Sequence, residues 1–205
     1  CTSSLARARS ASARWCRRCW LSSWLHERSA AGAAPLTRIV WSQFGAAIDM
    51  LENAMRAAPD EVWGDRTKPP EFWYVAYHTL FFLDYYLSGS SEGFMPPAPF
   101  TLSELDPEGV LPDRVYSKAE LLAYLAHGRE KCRAALAALT DETAARACRF
   151  ERRDMSVMEL HLYNMRHVQH HAAQLNLILR QTVDSAPDWV GKTRSGLDGN
   201  TPPTR

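Results

Sequence analysis

The segment that most restricts the fold of this chain lies at residues 160–180 and reads LHLYNMRHVQHHAAQLNLILR. Its apolar residues recur with helical spacing, which predicts the middle of a long helix. Because an α-helix takes about 3.6 residues per turn, His167 and His171 lie one above the other on a single face. Two imidazoles placed one turn apart can bind the same metal ion. The segment therefore predicts a helix that carries a candidate pair of metal ligands.

Two further helices are predicted in the first half of the chain. The first covers residues 36–58, where apolar residues fall at helical spacing, and it ends before Pro59. The second begins at one of the prolines at positions 69 and 70, since proline is tolerated in a first turn. It ends near Gly89, a good helix stop. Its sequence is almost wholly aromatic and aliphatic, so we expect it to be buried.

Capping boxes mark the beginnings of the two helices in the second half. Ser117 is followed three residues later by Glu120, and this pair predicts a third helix that runs to about residue 139. Ser156 and Glu159 repeat the pattern and open the last helix, which runs to about residue 182. No strand pattern accompanies these segments.

These four helices predict an all-α fold, an up-and-down type of four-helix bundle. One long connection, residues 90–116, joins helices two and three and contains five prolines. A connection of this length inside a compact domain is usually functional or disordered. Its interspersed aromatic and apolar residues favour packing over the body of the bundle, as a rim or lid.

The two ends of the chain differ in composition from the predicted bundle at residues 36–185. Residues 1–35 are rich in Arg, Ser and Ala, and Glu27 is their only acidic residue. This composition is compatible with a transit peptide, with a zinc site built on Cys16 and Cys19, or with an extension that is disordered or not native, and it favours the extension. Residues 186–205 form a polar, turn-rich tail in which we expect only Trp189 to dock and the end to be loose.

Charge, hydropathy and cysteine usage restrict the class of protein. The chain has 24 basic and 23 acidic residues, so its overall charge indicates neither nucleic acid nor an anionic membrane as a partner. No apolar run approaches the roughly 20 residues that a membrane-spanning helix needs. The five scattered cysteines are unlike a disulfide-dense secreted scaffold. A soluble cytoplasmic protein with reduced thiols is predicted.

A third candidate ligand, His78, lies in the middle of the second predicted helix. A lone histidine on a buried helix is most often a hydrogen-bonded core residue. The pair of His167 and His171, however, lacks one nitrogen donor that His78 could supply. Three histidines without a fourth protein ligand leave a coordination position open, which is the catalytic pattern. A metal there lowers the pKa of a bound water or polarises a substrate.

Two other polar residues of the last helix lie on the same face as the histidine pair. Asn164 and Gln174 lie about one turn to either side on the same face, so they are candidates for hydrogen bonds to the ligands or to a substrate. The remaining histidines are predicted to be non-ligands, either solvated or partnered locally: His26, His127, His161 and His170.

Two stretches, AYHTLFFLDYYL in helix two and RHVQHHAAQLNLILR in helix four, resemble the DinB-like superfamily over residues 36–185. The resemblance implies a four-helix bundle, often dimeric, that carries a divalent metal ion. It implies His78, His167 and His171 as the ligands, with His170 as a neighbouring non-ligand. Zinc or nickel would be the expected metal, with iron or manganese as alternatives. Relatives include thiol-dependent S-transferases and many members of no known activity.

The open three-histidine site and the resemblance lead to a hypothesis of function. The protein would be a metal-dependent enzyme that activates a small thiol for transfer to an electrophile. A metal-dependent hydrolase is the first alternative, although no Asp or Glu on the metal face of the last helix could act as a general base. A non-catalytic, stress-related protein that binds a metal or ligand is the second. The sequence does not identify catalytic residues beyond the ligands.

Overall fold

The computed structural model describes residues 17–150 and 154–199, and it describes side chains from residue 36 onward. The secondary structure of this part of the chain is helical, with two isolated bridges and no strand. The elements are α1 (Arg17–Ala57), α2 (Asp60–Trp63), α3 (Phe72–Leu87), a 3-10 helix (Ser103–Leu105), α4 (Lys118–Ala137), α5 (Asp141–Ala145) and α6 (Val157–Val183). The predicted all-α class is therefore confirmed for the described residues.

The four longest helices enclose a common core. α1 packs against α4 and α6, and α3 packs against the same two helices. The predicted up-and-down order is not confirmed, because the main packing neighbours of α1 are α4 and α6 instead of the next long helix, α3. Within the described residues, no helix is apolar over a sufficient length to cross a membrane. The fully buried side chains of the core include Phe44, Ile48, Leu51, Phe81, Leu83, Leu121, Val168 and Leu175.

Both predicted capping boxes are present at the beginnings of α4 and α6. The Ser117 hydroxyl accepts a hydrogen bond from the backbone N–H of Glu120, and the Glu120 carboxylate accepts one from the N–H of Ser117. Ser156 and Glu159 make the same reciprocal pair. Each box satisfies two N–H groups that a helix end would otherwise leave without partners. The box of α6 thus defines the beginning of the helix that carries the histidine pair.

The first helix begins earlier than predicted. α1 extends from Arg17 to Ala57, whereas the predicted helix began at residue 36. The predicted boundary followed a change in composition beside Pro35, a residue that disfavours a helix interior, but the helix continues through this position. The interpretations that rest on Cys16, Cys19 and His26 lie outside the described side chains. The assignment of residues 1–35 as an extension outside the domain stays a prediction.

The long connection between α3 and α4 packs on the bundle, as the sequence predicted. The side chains of Phe94 and Phe100 are buried. The Phe100 ring stacks on the Tyr124 ring of α4, with 4.4 Å between the centroids. The backbone carbonyl of Tyr116, at the other end of the connection, accepts a hydrogen bond from the Trp63 indole. These contacts fix the connection over the α3–α4 side of the molecule.

The C-terminal segment also lies against α1, although only Trp189 was expected to dock. The backbone N–H of Thr193 donates to the carbonyl of Ser42 over 2.9 Å. Gly45 leaves room for this approach, since a Cβ atom there would lie 2.6 Å from Cγ2 of Thr193. Trp189 itself is 71% exposed. The expectation was wrong because the segment is held by this backbone hydrogen bond, by hydrogen bonds from the Trp41 and Gln43 side chains to its carbonyls, and by close packing, instead of by its most apolar side chain.

Candidate metal centre

Three histidine side chains from α3 and α6 converge at one place. His78 is on α3, and His167 and His171 are on α6. The Nε2 atom of His167 lies 3.4 Å from Nε2 of His78 and 3.1 Å from Nε2 of His171. One candidate ligand atom from each residue lies within 4.8 Å of the other two. In the part of the chain that the structure describes, no other group of His, Cys, Asp and Glu side chains meets this distance.

The packing of α6 places its two histidines at the edge of the core. Val168 and Ala172, each the residue that follows a candidate ligand, are fully buried. Successive residues of an α-helix are rotated by about 100°, so His167 and His171 point to one side of this buried stripe. They are half-buried and face α3. One turn of helix brings their rings to a centroid distance of 4.5 Å.

Two of the three imidazoles are held by acceptors on the side away from the centre. Nδ1 of His78 lies 2.6 Å from Oε2 of Glu104, and Nδ1 of His171 lies 2.6 Å from Oε1 of Gln174. Carboxylate and amide oxygens only accept hydrogen bonds, so each neutral imidazole carries its proton on Nδ1. The lone pair is then on Nε2, which faces the other histidines. This is the tautomer that metal binding at the centre requires.

This donor set fits a divalent metal ion. Imidazole nitrogens are good ligands for zinc, nickel, copper and iron(II). Burial lowers the pKa of His171 to about 4. The nearby His78 and His170 lower this pKa further, whereas the hydrogen bond with Gln174 raises it. At neutral pH this imidazole is therefore uncharged and able to bind a cation. Three nitrogen donors that face one point are a candidate site with a coordination position left open.

Aromatic side chains surround the histidines. The ring centroid of Phe82 lies 4.8 Å from that of His78 and 5.7 Å from that of His167. Tyr74, one turn before His78, lies 6.3 Å from it. Burial and, next, the negative charge of Glu104 raise the pKa of the Tyr74 hydroxyl, so it stays protonated. Electrostatic interactions are stronger in such partly water-excluded surroundings than in bulk solvent.

Glu104 was not identified from the sequence. It belongs to the 3-10 helix in the long connection, and its side chain is only 3% exposed. A charged side chain is rarely buried to this extent without a partner, and here the partner is the imidazole of His78. The sequence signal available for Glu104 was that a carboxylate occurs in a connection expected to pack over the bundle. That segment has no periodicity from which the position of its side chains could be predicted.

The two polar residues proposed beside the histidine pair occupy different environments. Gln174 contacts His171 directly. Asn164 is completely buried, and its Nδ2 donates to the backbone carbonyl of Leu83 over 3.0 Å. Asn164 therefore joins α6 to α3 within the core. A contact between Asn164 and a substrate stays a prediction.

The other described histidines lie outside the group of three. His170 is exposed, although its ring is 5.0 Å from that of His171. His127 is on α4, and its Nε2 lies 3.5 Å from the Asp84 carboxylate. His161 is buried instead of solvated, and burial lowers its pKa. The structure thus brings together the three histidines that the sequence singled out and leaves these three apart.

A cleft of about 630 Å³ lies between α1, α6 and the C-terminal segment, and His167 forms part of its lining. This size suits a small organic molecule. Among the described residues that line the cleft, Arg166 alone carries a permanent charge. The walls are otherwise apolar, aromatic or neutral polar, and include Gln43, Ala46, Ala47, Tyr163, Gln169 and Trp189.

The fold and the site define an all-helical protein with a three-histidine candidate metal centre. A family model described as DinB superfamily matches residues 43–175, a span that includes all three histidines. The chain belongs to the DinB superfamily, which confirms the resemblance seen in its sequence. No curated protein matches the chain.

Proposed function

We propose that this protein is a divalent-metal-dependent enzyme that activates a small thiol for transfer to an electrophile. The observation that carries the proposal is the convergence of His78, His167 and His171. A group of three protein ligands leaves a position for an exchangeable ligand. Membership of a metal-binding family supports the same conclusion. Zinc or nickel is the preferred ion, with iron or manganese as alternatives.

The chemistry would divide between the ion and the side chains around it. A bound divalent ion favours thiolate over thiol at neutral pH. The three histidines would hold the ion, while Glu104 and Gln174 keep two of the imidazoles in the required orientation. The thiolate sulfur forms a bond to the electrophilic carbon as the bond from that carbon to its leaving group breaks. The thiol proton passes to water.

The cleft beside His167 supports the assignment of small organic substrates. Its largely apolar lining suits the carbon skeleton of an electrophile or of a thiol, and Arg166 suits an anionic group on either. We therefore expect substrates with an apolar body and a carboxylate or similar negative charge. We further propose a cytoplasmic protein that acts as a homodimer; the buried free thiol of Cys132 fits a reducing compartment.

Metal-assisted hydrolysis at the same centre is the second candidate. The last helix offers no carboxylate on its metal face, but Glu104 places one beside His78 from the connection. Because this carboxylate is on the side of His78 away from the centre, it would orient that ligand, and hydrolysis would depend on activation of a water by the ion itself. A non-catalytic, stress-related metal- or ligand-binding protein is the remaining alternative.

One set of assays separates the three functions. The full chain, loaded with zinc or nickel, is incubated with monobromobimane or chlorodinitrobenzene in the presence and absence of a low-molecular-weight thiol. The expected result is a thiol-dependent loss of the electrophile that exceeds the uncatalysed rate and disappears in His171→Ala. The His170→Ala variant, which lacks the neighbouring exposed imidazole, is the matched control.

Two results would contradict thiol transfer. Thiol-independent cleavage of esters or amides would assign the site to hydrolysis. Bound metal with neither activity, over a panel of thiols and anionic aromatic electrophiles, would assign the protein to metal or ligand binding without catalysis.

A further inference from the structure

We propose that Glu104 is a positioning residue of the metal centre, and that the connection between α3 and α4 is thereby part of that centre. This inference rests on the proposed metal binding by His78, His167 and His171. It adds a residue from a third segment to a site otherwise built from two helices.

The contact between Glu104 and His78 is short and shielded from water. Oε2 of Glu104 lies 2.6 Å from Nδ1 of His78, and the exposed fractions of the two side chains are 3% and 29%. The other carboxylate oxygen, Oε1, is buried and has no hydrogen-bond partner within 3.5 Å among the described residues, while the Tyr74 hydroxyl lies close enough to the same carboxylate to interact with it. Burial of a carboxylate is costly unless a partner compensates for the lost water. The imidazole of His78 is the closest such partner, and the Tyr74 hydroxyl is a second.

The connection is anchored to α3 just before Glu104. The Tyr77 hydroxyl, on the turn of α3 next to His78, lies 3.2 Å from the carbonyl oxygen of Thr101 and 3.4 Å from Oγ of Ser103. The N–H of Leu105 donates to the carbonyl of Leu102, which closes the 3-10 turn. The carboxylate is therefore delivered to His78 by a segment that α3 itself holds.

A carboxylate at this position does two things for the imidazole. It fixes the proton on Nδ1 and the orientation of the ring, and its negative charge makes Nε2 a stronger donor. His171 receives only the first of these effects, because its partner Gln174 is a neutral amide. The loss of Glu104 is therefore expected to weaken metal binding more than the loss of Gln174.

Metal affinity and the cobalt spectrum of the full chain test this role. Zinc affinity is measured by competition with a chromophoric chelator, and the visible absorption of the cobalt(II) form reports ligand geometry. Four variants are compared with the unsubstituted chain: Glu104→Ala, Glu104→Gln, Gln174→Ala and Glu108→Ala. Glu108 is an exposed carboxylate of the same connection and serves as the control.

Glu104→Ala should lose roughly 10–100-fold in affinity and shift the cobalt bands, as expected when a residue that orients a ligand is removed. Glu104→Gln keeps the size and an acceptor oxygen but loses the charge, so its affinity should lie between that of Glu104→Ala and that of the unsubstituted chain. Glu108→Ala should match the unsubstituted chain. A role of Glu104 limited to folding would lower the thermal stability of the metal-free protein while the cobalt spectrum stayed unchanged.

Two outcomes overturn the inference in distinguishable ways. Unchanged zinc affinity and an unchanged cobalt spectrum in both Glu104 variants would exclude the positioning role. The proposed metal binding by the three histidines would remain valid. Absence of zinc and cobalt binding by the unsubstituted chain would overturn the proposed function, and this inference with it. If Glu104→Ala failed to fold, the near-isosteric Glu104→Gln variant would decide the question.

Discussion

The Nε2 atoms of His78 and His167 lie 3.4 Å apart across the interface of α3 and α6, although 89 residues separate them in the chain. The two helices run in opposite directions there. The ring of His78 is beside that of His171, while the ring of Tyr86, two turns later on α3, is 5.3 Å from that of the earlier residue Tyr163. The site thus depends on the register of two antiparallel helices.

Removal of either histidine of α6 is expected to abolish stoichiometric metal binding. His167→Ala or His171→Ala leaves two nitrogen donors, too few to hold a divalent ion against water and chelators. Metal content by inductively coupled plasma mass spectrometry, on untagged protein, should fall from about one ion per chain to a trace. His170→Ala should keep the ion. Metal retained in His171→Ala and lost in His170→Ala would mean that the register of α6 is wrong.

The candidate ligands could be predicted because their spacing is local. Helical periodicity places His167 and His171 on one face without knowledge of the fold. His78 needed a second argument, because a histidine on a buried helix has no signal of its own. Only the packing of α3 on α6 places its Nε2 near the pair. The capping boxes were predictable for the same reason as the pair, since their partners are three residues apart.

Features that depend on contacts between distant, irregular segments could not be predicted. Glu104 reaches His78 from a connection without periodicity, and Asn164 turns to the Leu83 carbonyl although its position on α6 resembles that of Gln174. The docking of the C-terminal segment rests on contacts to its own backbone, from the Ser42 carbonyl and from the Trp41 and Gln43 side chains, which no side-chain pattern of the segment encodes. Backbone groups carry no residue-specific signal in the sequence.

A buried carboxylate on α3 is expected to stabilise the bundle without a role in metal binding. Asp84 is 1% exposed, receives hydrogen bonds from Lys131 over 2.5 Å and from Tyr124 over 3.1 Å, and so joins α3 to α4. Asp84→Ala should lower the free energy of unfolding by about 2 kcal/mol, because hydrogen bonds to a charged group are lost and a buried hydroxyl is left unsatisfied. Urea denaturation measures this change.

The matched control is the exposed ion pair of Glu142 and Arg146. Glu142→Ala should change the unfolding free energy by no more than about 0.5 kcal/mol, because water screens surface pairs. Equal effects of Asp84→Ala and Glu142→Ala would contradict a stabilising role for the buried contact. Loss of the metal in folded Asp84→Ala would contradict its independence from the metal centre.

The capping box of α4 should contribute stability that depends on pH. Hydrogen bonds from Arg114 and then from Ser117 lower the pKa of Glu120 from its ordinary value of 4.5 to about 2. A carboxyl group with a lower pKa in the folded state stabilises the fold above the unfolded pKa and loses this effect as pH falls through the folded value. The effect of Glu120 should therefore be complete above pH 4.5 and decline from there towards pH 2.

Comparison of the unsubstituted chain with Glu120→Ala tests this dependence. At pH 7 the variant should be less stable to urea by about 1 kcal/mol, the usual size of a capping contribution. At pH 3 the difference between the two proteins should be smaller. A difference of the same size at both values of pH would show that the ionised carboxylate is not the stabilising group.

The close approach of the C-terminal segment to α1 should make Gly45 intolerant of a side chain. An alanine in a helix interior normally adds about 0.5–1 kcal/mol of stability relative to glycine. At position 45, however, the new Cβ would lie 2.6 Å from Cγ2 of Thr193. Gly45→Ala should therefore displace the segment, break the hydrogen bond from Thr193 to Ser42, and speed tryptic cleavage after Lys192 and Arg194.

Limited proteolysis followed by mass spectrometry measures the rate of cleavage at these two sites. Gly64→Ala is the control, because a Cβ there would have an ordinary contact of 3.6 Å with the Asp60 carbonyl. The double variant Gly45→Ala/Thr193→Gly should restore slow cleavage, since the second change removes the side chain that the new methyl group meets. Equal cleavage rates in Gly45→Ala and the unsubstituted chain would contradict the close packing of the segment against Gly45.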